Sequence, residues 1–301
     1  MDALRRAVRT AALADQLGFD AIWASEHHRS ALNICPDPPT FLAHLAGITE
    51  RIRLGTAIAN LPLHHPSFLA ERVAMVDNLS GGRLELGVGR GFAAADYLQA
   101  GVDQGRAWDV FEAHHAQLVE ALADGTTAPC SQRPRPPMWL AVSGSERSLA
   151  FAARHGYGLL LAGPNQRLRR VVTTYRELWR QAQGDRPFEV GVSRAIHLAD
   201  TREQAVAELT AHLNWYRARM HDLGPAVDPP PIGEIIDTFC IVGTPGECLE
   251  EVDELRHTSG LTMLNCVFGL GGMASELLEP AVVRFAGEVL PVLRRSAVTP
   301  S

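Results

Sequence analysis

A carboxylate and two imidazoles follow one another at Glu26, His27 and His28, directly after an apolar run over residues 19–24. Imidazole can act as a general base or a hydrogen-bond donor near neutral pH, and a neighbouring carboxylate can set its tautomer or orientation. The apolar run predicts a buried strand, so these side chains are expected at a strand end. We interpret them as candidate catalytic residues, and the alternative is a polar strand end without a chemical task.

Two further histidine pairs, His64-His65 and His114-His115, raise the question of a metal site. Neighbouring residues point to opposite faces of a strand and about 100° apart on a helix, whereas ligand pairs usually have i, i+2 or i, i+4 spacing. The five cysteines form no C-x-x-C pair, and their odd number argues against a disulfide framework. We therefore predict no metal site, and we expect His114-His115 on the surface of a helix.

A glycine-rich turn after a strand-like run contains Gly87, Gly89 and Gly91 together with Arg90. It is not a dinucleotide-binding fingerprint, because G-x-G-x-x-G requires its third glycine at Phe92. Glycines at a strand end allow a flat ligand to approach the backbone, and a guanidinium can bind phosphate through two parallel hydrogen bonds. The turn therefore predicts a cofactor site in which Gly89 lies against the ligand and Arg90 binds a phosphate.

A serine-rich segment over residues 143–148 joins a predicted strand to a predicted helix and includes Gly144, Ser145 and Ser148. Backbone N–H groups at a helix N-terminus, with serine hydroxyls beside them, are suited to binding an anion. Such a segment can equally serve as an ordinary helix N-cap. Both interpretations remain open from the residues alone.

Apolar runs typical of buried strands alternate with segments of helical periodicity along the chain. The seven predicted strands lie at residues 19–24, 52–59, 84–88, 138–142, 157–162, 188–198 and 262–268. The predicted helices lie at residues 4–17, 41–48, 68–79, 110–123, 146–154, 168–181, 202–221, 245–256 and 275–293. Strands separated by single helices pair in parallel, which leaves an open doubly wound sheet or a closed (β/α)8 barrel. We predict a single α/β domain over residues 1–301, a (β/α)8 TIM barrel that lacks its first β-strand.

The composition excludes several classes of function. A net charge of −6, from 34 acidic and 28 basic residues, offers no concentrated basic surface for nucleic acid. All basic residues other than histidine are arginine, so the chain has no lysine for Schiff-base chemistry or for a lysine-containing phosphate loop. No apolar run approaches the roughly 20 residues that a membrane helix requires, and we expect a cytoplasmic protein without a membrane or nucleic-acid partner.

The chain resembles the bacterial luciferase-like flavin-dependent monooxygenases over nearly its whole length. The resemblance is carried by LADQLGFDAIWASEHH, by PPTFLAHLAGITERIRLGTAIANLPLHHPSFLAERVAMVDNLSGGRLELGVGRGF, by IVGTPGECLEEVDEL and by the closing RFAGEVLPVLR. It implies a (β/α)8 barrel that binds reduced FMN at the carboxyl ends of its strands. It also implies FMN supplied by a separate flavin reductase, O2 as co-substrate, and oxygenation of an aldehyde or biosynthetic intermediate through a C4a-peroxyflavin.

The resemblance assigns roles to individual residues. The active-site histidine of the family falls on His27, with Glu26 and His28 completing the motif, and its phosphate-binding arginine falls on Arg90. The phosphate-binding turn falls on Gly144, Ser145 and Ser148, and a non-proline cis peptide beneath the flavin falls on Ala57-Ile58. Gly89 stands where true luciferases have a cysteine.

Two other functions remain open beside this one. Members of the same superfamily transfer hydride with the deazaflavin F420 and do not use O2. Luciferase-like assemblies also contain partner subunits with little chemistry, so a non-catalytic flavin-binding subunit is the third possibility. The resemblance implies a homodimer or a heterodimer with a paralogue.

Overall fold

Helices and parallel strands alternate in the order that the sequence predicts. The computed structural model describes residues 2–32, 35–123, 129, 131–132, 135–223, 228–270, 272–273 and 275–298. Its strands are β1 (Ala21–Ala24), β2 (Arg53–Thr56), β3 (Ala59–Asn60), β4 (Leu84–Gly89), β5 (Met138–Ala141), β6 (Gly158–Leu161), β7 (Val190–Leu198), β8 (Cys240–Gly243) and β9 (Met263–Val267).

The α-helices precede, separate and follow these strands. They are α1 (Asp2–Leu17), α2 (Pro38–Ala46), α3 (Pro66–Leu79), α4 (Ala94–Ala100), α5 (Ala107–Ala123), α6 (Glu146–His155), α7 (Asn165–Gln183), α8 (Arg202–Arg219), α9 (Ile232–Phe239), α10 (Pro245–Ser259), α11 (Ser275–Arg284) and α12 (Leu290–Val298). None of the helices in the described ranges is long and apolar enough to cross a membrane.

The chain divides into two compact units, residues 1–141 with 219–227 and residues 142–218 with 228–301. The first unit contains β1 to β5, and its sheet has the order β1-β2-β4-β5 with β3 also paired to β4. Every pairing is parallel, with Ala24 opposite Thr56 and Val88 opposite both Ala59 and Leu140. The carboxyl ends of these strands therefore meet at one edge of the sheet. The single domain expected over residues 1–301 stays a prediction.

Helix α1 is anchored to the start of the next strand by a buried carboxylate. Asp15 accepts hydrogen bonds from the backbone N–H groups of Glu50, Arg51 and Ile52 at 2.9, 3.1 and 2.8 Å. Burial alone would raise the pKa of Asp15, but these three donors together lower it below its ordinary value. This side chain thus stabilises the turn that leads into β2.

In the second unit, the long strand β7 pairs with three other strands, and its residues 190–192 pair with β6. Its residues 191–195 pair with β9, and its residues 195–198 pair with β8. Helices α8 and α9 cover this sheet with a core of buried residues that includes Ala195, Leu209, Leu213, Ile235 and Val242.

All seven predicted strands are present, and the differences from prediction have local causes. The predicted strand at residues 52–59 is divided into β2 and β3 by Ala57 and Ile58. Strand β8 and helices α4 and α9, which have four, seven and eight residues, were not predicted. The single C-terminal helix expected at residues 275–293 contains a π-helical turn at Phe285–Val289, just before Pro291, which lacks a backbone N–H.

The expected surface position of His114-His115 is wrong. The His115 side chain is buried on the inner face of α5, and His114 Nδ1 donates to the Leu61 carbonyl oxygen at 2.9 Å. His115 is buried because it lies on the same face of α5 as Phe111 and Leu118, four residues after the first and three before the second.

Candidate active site

Candidate residues gather at the carboxyl ends of three neighbouring strands in the first unit. Glu26, His27 and His28 follow β1, Ala57 and Ile58 connect β2 to β3, and Arg90 follows the last residue of β4. Because the strands are parallel neighbours, the side chains that follow them meet at the same edge of the sheet.

Glu26 has a side chain that is 0% exposed and is surrounded by hydrogen-bond donors. Its Oε2 accepts from the backbone N–H of Asn60 at 3.0 Å and lies 2.9 Å from Nε2 of His64. Its Oε1 lies 2.9 Å from Nε2 of His28. A buried carboxylate needs such donors to offset its lost hydration, so this arrangement is suited to an ionised Glu26.

His64 continues this network to a guanidinium. Nη2 of Arg72 lies 2.9 Å from Nδ1 of His64, and Nη1 of Arg72 donates to Oδ2 of Asp37 at 2.8 Å. Arginine can only donate, so Nδ1 of His64 is the acceptor and its ring proton is on Nε2, facing Glu26. The donors and acceptors in this chain are therefore determined by the arginine.

His27 has a different carboxylate partner. Its Nδ1 lies 3.4 Å from Oδ2 of Asp96, and Oδ1 of the same carboxylate accepts from the backbone N–H of His28 at 3.1 Å. With a proton on Nδ1, the Nε2 atom of His27 is an acceptor, and it makes no hydrogen bond within the described part of the chain. The ring of Phe92 contacts the His27 ring edge-on, with centroids 5.7 Å apart.

Helix α4 positions both the histidines and the start of the glycine turn. Asp96 and Tyr97 are buried neighbours on this helix, and the Tyr97 hydroxyl donates to the carbonyl oxygen of Arg90. Burial raises the pKa of Tyr97, so the phenol keeps the proton that it donates. The guanidinium of Arg90 is exposed and makes no hydrogen bond to any residue that the structure describes.

The segment after β2 approaches Gly89 closely. A Cβ atom at Gly89 would lie 2.3 Å from Cδ1 of Ile58 and 3.5 Å from Cβ of Ala141. The peptide bond between Ala57 and Ile58 is cis, as predicted. Ile58 therefore occupies the space that the glycine leaves, and the roles of these residues in binding a cofactor stay predictions.

The serine-rich segment belongs to the second unit and forms the N-cap of α6. Ser145 Oγ accepts from the backbone N–H of Ser148 at 3.3 Å, and the Ser148 hydroxyl donates to the Ser145 carbonyl oxygen at 2.7 Å. Gly144 has a φ of +106°, which favours glycine. Ser145 remains exposed while Ser148 is buried, so the N-cap is present and the anion-binding role of this turn stays a prediction.

Cys35 lies close to this network and is held as a thiol. Its backbone carbonyl accepts from the N–H of His27 at 3.2 Å. Burial, together with the negative charges of Asp37 and Glu26, raises the pKa of the Cys35 thiol to about 11. It therefore does not act as a thiolate near neutral pH.

Sequence reasoning missed four residues of this site: Asn60, His64, Arg72 and Asp96. His64 was considered only as half of a weak metal-ligand pair, and no group of three metal-ligating side chains is arranged around an ion position within the described residues. Asp96 stands in a short alanine-rich segment without a motif. The available signal was a single charge in an otherwise uncharged segment, because Asp96 directly follows three alanines and precedes Tyr97.

Comparisons with known proteins identify the family of this chain. A family model described as luciferase-like monooxygenase matches residues 1–263. The 4-hydroxyprotoasukamycin monooxygenase of Streptomyces nodosus subsp. asukaensis is 29% identical over 292 residues, 82% of this chain and 75% of that protein. The oxygenase component of the flavin-dependent trigonelline monooxygenase of Acinetobacter baylyi is 26% identical over 322 residues, 95% of this chain and 89% of that protein. An uncharacterized protein of Sinorhizobium fredii, y4vJ, is 32% identical over 173 residues, and this chain spans only 49% of its length.

Solved structures share the fold. Monooxygenase RslO1 from Streptomyces bottropensis has a TM-score of 0.85 and 27% identity, covering 96% of this chain and 93% of that one. The oxygenating constituent of 3,6-diketocamphane monooxygenase of Pseudomonas putida, in complex with FMN, has a TM-score of 0.78 and 19% identity, covering 96% and 92%. The coenzyme F420-dependent tetrahydromethanopterin reductase of Methanopyrus kandleri has a TM-score of 0.69 and 18% identity, covering 95% and 94%.

The family match and these structural likenesses confirm the predicted α/β barrel class. The likenesses below 25% identity concern the fold alone, whereas the family model extends over most of the sequence. The chain therefore belongs to the luciferase-like monooxygenase family and is an oxidoreductase of that family.

Proposed function

We propose that this chain uses reduced FMN and O2 to oxygenate a small organic substrate, such as an aldehyde or a biosynthetic intermediate. The observation that carries the proposal is the pairing of His27 with Asp96, which leaves Nε2 of His27 as an acceptor without a partner in the described residues. A histidine oriented by a carboxylate is a recurrent general base. The names of two relatives, both monooxygenases, support the reaction class.

The donor chemistry of the chain fits a flavin phosphate. Arg90 presents an exposed guanidinium with no partner among the described residues, a group that binds phosphate through two parallel hydrogen bonds. In the second unit, Gly144 and Ser145 precede the ten-residue helix α6, whose N-terminus favours negative charge. In the first unit, we assign Arg90 to a phosphate and Ala57, Ile58 and Gly89 to the flavin ring. In the second unit, we assign Gly144, Ser145 and Ser148, as a separate proposal, to phosphate binding.

Bound reduced FMN would supply the two electrons of the reaction, so that one oxygen atom of O2 enters the substrate and the other leaves as water. The contribution of the protein is to bind, orient and move protons. His27 would accept a proton at Nε2 or return it, while Asp96 holds the ring proton on Nδ1. Phe92 contacts one side of the His27 imidazole edge-on and would help to orient the ring.

Reduced FMN is proposed to come from a separate flavin reductase. One relative is named as the oxygenase component of its enzyme, and one structural neighbour as the oxygenating constituent of its enzyme. These names support a two-component system in which another protein reduces the flavin. The homodimer or paralogous heterodimer expected from the resemblance stays a prediction.

Anaerobic titration of the chain with photoreduced FMN, followed by mixing with O2, tests this function. We expect saturable binding of reduced FMN and rapid reoxidation of the bound flavin. Binding of reduced F420 together with no response to O2 would instead establish the hydride-transfer alternative. Failure to bind either cofactor would favour a non-catalytic partner subunit.

Arg90→Ala tests the phosphate assignment in the same titration. Removing a charge-assisted contact of about 1.5 to 3 kcal/mol should raise the Kd for reduced FMN about tenfold to a hundredfold. Arg5→Ala, at an exposed arginine on α1, is the matched control and should leave the Kd unchanged. An Arg90→Ala protein with the Kd of the natural chain would refute the assignment.

A further inference from the structure

The hydrogen-bond network around Glu26 contains His64, to which the proposed function assigns no role. His64 lies between a carboxylate and a guanidinium, and its side chain is 8% exposed. Its two ring nitrogens have opposite partners, Glu26 Oε2 at 2.9 Å and Arg72 Nη2 at 2.9 Å. Such a pair of partners permits one protonation state and one tautomer of the ring.

The protons of this network can be located from the donors alone. Arg72 only donates, so Nδ1 of His64 carries a lone pair and Nε2 carries the proton that is donated to Glu26. Oε2 of Glu26 thus accepts two hydrogen bonds, from His64 Nε2 and from the backbone N–H of Asn60 at 3.0 Å. With both donors in place, Oε2 is a poor position for a proton of its own.

One proton in the network can therefore move, the one between Oε1 of Glu26 and Nε2 of His28. These atoms are 2.9 Å apart, and Nδ1 of His28 makes no hydrogen bond within the described residues. The His28 side chain is 24% exposed, so Nδ1 can exchange a proton with water or with a bound molecule. His27, the adjacent residue, is oriented independently by Asp96.

We propose that His64 is a positioning residue: held by Arg72 as the Nε2–H tautomer, it keeps Oε2 of Glu26 occupied and directs the mobile proton of this site to the Glu26–His28 pair. No bond other than N–H and O–H bonds forms or breaks in this step. The inference deepens the proposed function, because the pair would supply or take up the proton that accompanies oxygenation.

Several charged or titratable groups surround the Glu26–His28 pair and are considered together. Asp96 contacts His27 through its side chain and the backbone of His28, while Arg72 is itself paired with Asp37. Cys35 is a protonated thiol close to Glu26. None of these groups contacts a ring nitrogen of His28 or a carboxyl oxygen of Glu26 through a hydrogen bond among the described residues. The hydrogen bonds of Glu26 to His28 and to His64 therefore determine the position of the proton.

The first test is independent of flavin and of activity. In the flavin-free chain with ¹⁵N-labelled histidine, NMR shifts should show His64 as neutral with its proton on Nε2, and the variant His64→Gln identifies its signals by their loss. A doubly protonated His64 at neutral pH, or a proton on Nδ1, would overturn the proposal. Because this measurement requires no cofactor, it stands even if the chain binds no FMN.

The second test compares two substitutions of His64, one that keeps its hydrogen bonds and one that removes them, to separate a positioning role from a packing role. Gln at position 64 can donate an amide N–H to Glu26 and accept from Arg72, whereas Leu can do neither. We expect His64→Leu to lower kcat about tenfold to a hundredfold, the size typical of lost orienting partners, with the KM for reduced FMN nearly unchanged. His64→Gln should keep most of the kcat of the natural chain. When kcat is measured as a function of pH, only His64→Leu should change the shape of the pH profile.

His65→Gln is the matched control, because His65 is exposed and its ring packs against Phe68, away from this network. Arg72→Met leaves His64 in place and removes the donor to Nδ1, so it keeps the test usable if His64→Leu does not fold. In that variant the Nδ1 signal of His64 should move as the ring gains a second protonation state. Equal kcat in His64→Leu and the natural chain, or equal loss in His64→Gln and His64→Leu, would overturn the proposal.

Discussion

Replacing Asp96 by asparagine should move the ring proton of His27 without disturbing the fold. The backbone N–H of His28 can only donate, so the new amide must place its oxygen there, where Oδ1 now accepts at 3.1 Å. The amide NH2 then takes the position of Oδ2, 3.4 Å from Nδ1 of His27. Nδ1 must become an acceptor, which moves the proton to Nε2 and removes the base.

The size of this effect follows from the role of the base. General-base catalysis by a positioned side chain contributes about 10² to 10⁴ in rate, which corresponds to about 2.7 to 5.4 kcal/mol of barrier. In the Ser-His-Asp triad the same exchange costs about 10⁴. Because every backbone donor keeps an acceptor, we expect a loss in Tm of only a few degrees, from a weaker hydrogen bond of about 1 kcal/mol.

Stopped-flow mixing of the anaerobic reduced-FMN complex with O2 measures the rate of flavin reoxidation, and ¹⁵N NMR of labelled histidine reports the tautomer of His27. We expect a rate at least about a hundredfold lower and a proton on Nε2 in Asp96→Asn. Asp185→Asn, whose side chain is 98% exposed, is the control and should match the natural chain. A rate within about threefold of the natural chain would refute the assignment of His27 as a base oriented by Asp96.

Three further predictions concern stability and reactivity. The Asp15→Asn variant should have a free energy of unfolding about 1 to 3 kcal/mol lower than that of the natural chain at neutral pH. Because the folded pKa of Asp15 is lowered, its contribution to stability is present above about pH 4 and is lost as the pH falls below that value. Denaturant titrations at pH 3 should therefore show a smaller difference in free energy of unfolding between the variant and the natural chain. Gly55→Ala should destabilise by about 1 to 3 kcal/mol, because its Cβ would lie 2.3 Å from the ring of Trp23, whereas the control Gly233→Ala, with nothing within 4 Å, should be neutral or slightly stabilising in thermal melts. Because its pKa is raised to about 11, Cys35 in the folded chain should react with iodoacetamide at pH 8 about a hundredfold more slowly than an ordinary free thiol. Peptide mass spectrometry measures the rate of this modification. A rate equal to that of a free thiol would contradict the raised pKa of Cys35.

Local patterns in the sequence carry much of the fold. Apolar runs predict seven strands, and their alternation with helices predicts parallel pairing, because a helix is long enough to return the chain to the same edge of the sheet. The elements that escape prediction are short. Helix α4, with residues Ala94–Ala100, and strand β8, with residues Cys240–Gly243, depend on contacts with the rest of their units more than on their own periodicity.

Contiguous residues of the site are also readable in the sequence. Glu26, His27 and His28 stand together at a strand end, and the glycines around Arg90 mark a place where the backbone must be approached closely. The close approach itself is visible only in the structure, where Ile58 fills the space beside Gly89. The cis peptide at Ala57-Ile58 was predicted from the family resemblance and not from residue chemistry.

The sequence by itself determined which residue types are available and that the strand ends would carry them, because hydrophobic periodicity and glycine placement are local properties. Only the tertiary structure decided which carboxylate forms a hydrogen bond with which imidazole. Asp96 reaches His27 across 69 positions of sequence, and His64 reaches Glu26 across 38. Hydrogen bonds act over about 3 Å and have no sequence signature at such separations. The ring nitrogen that carries the proton in each histidine, and therefore whether that histidine can act as a base, is determined only by folding.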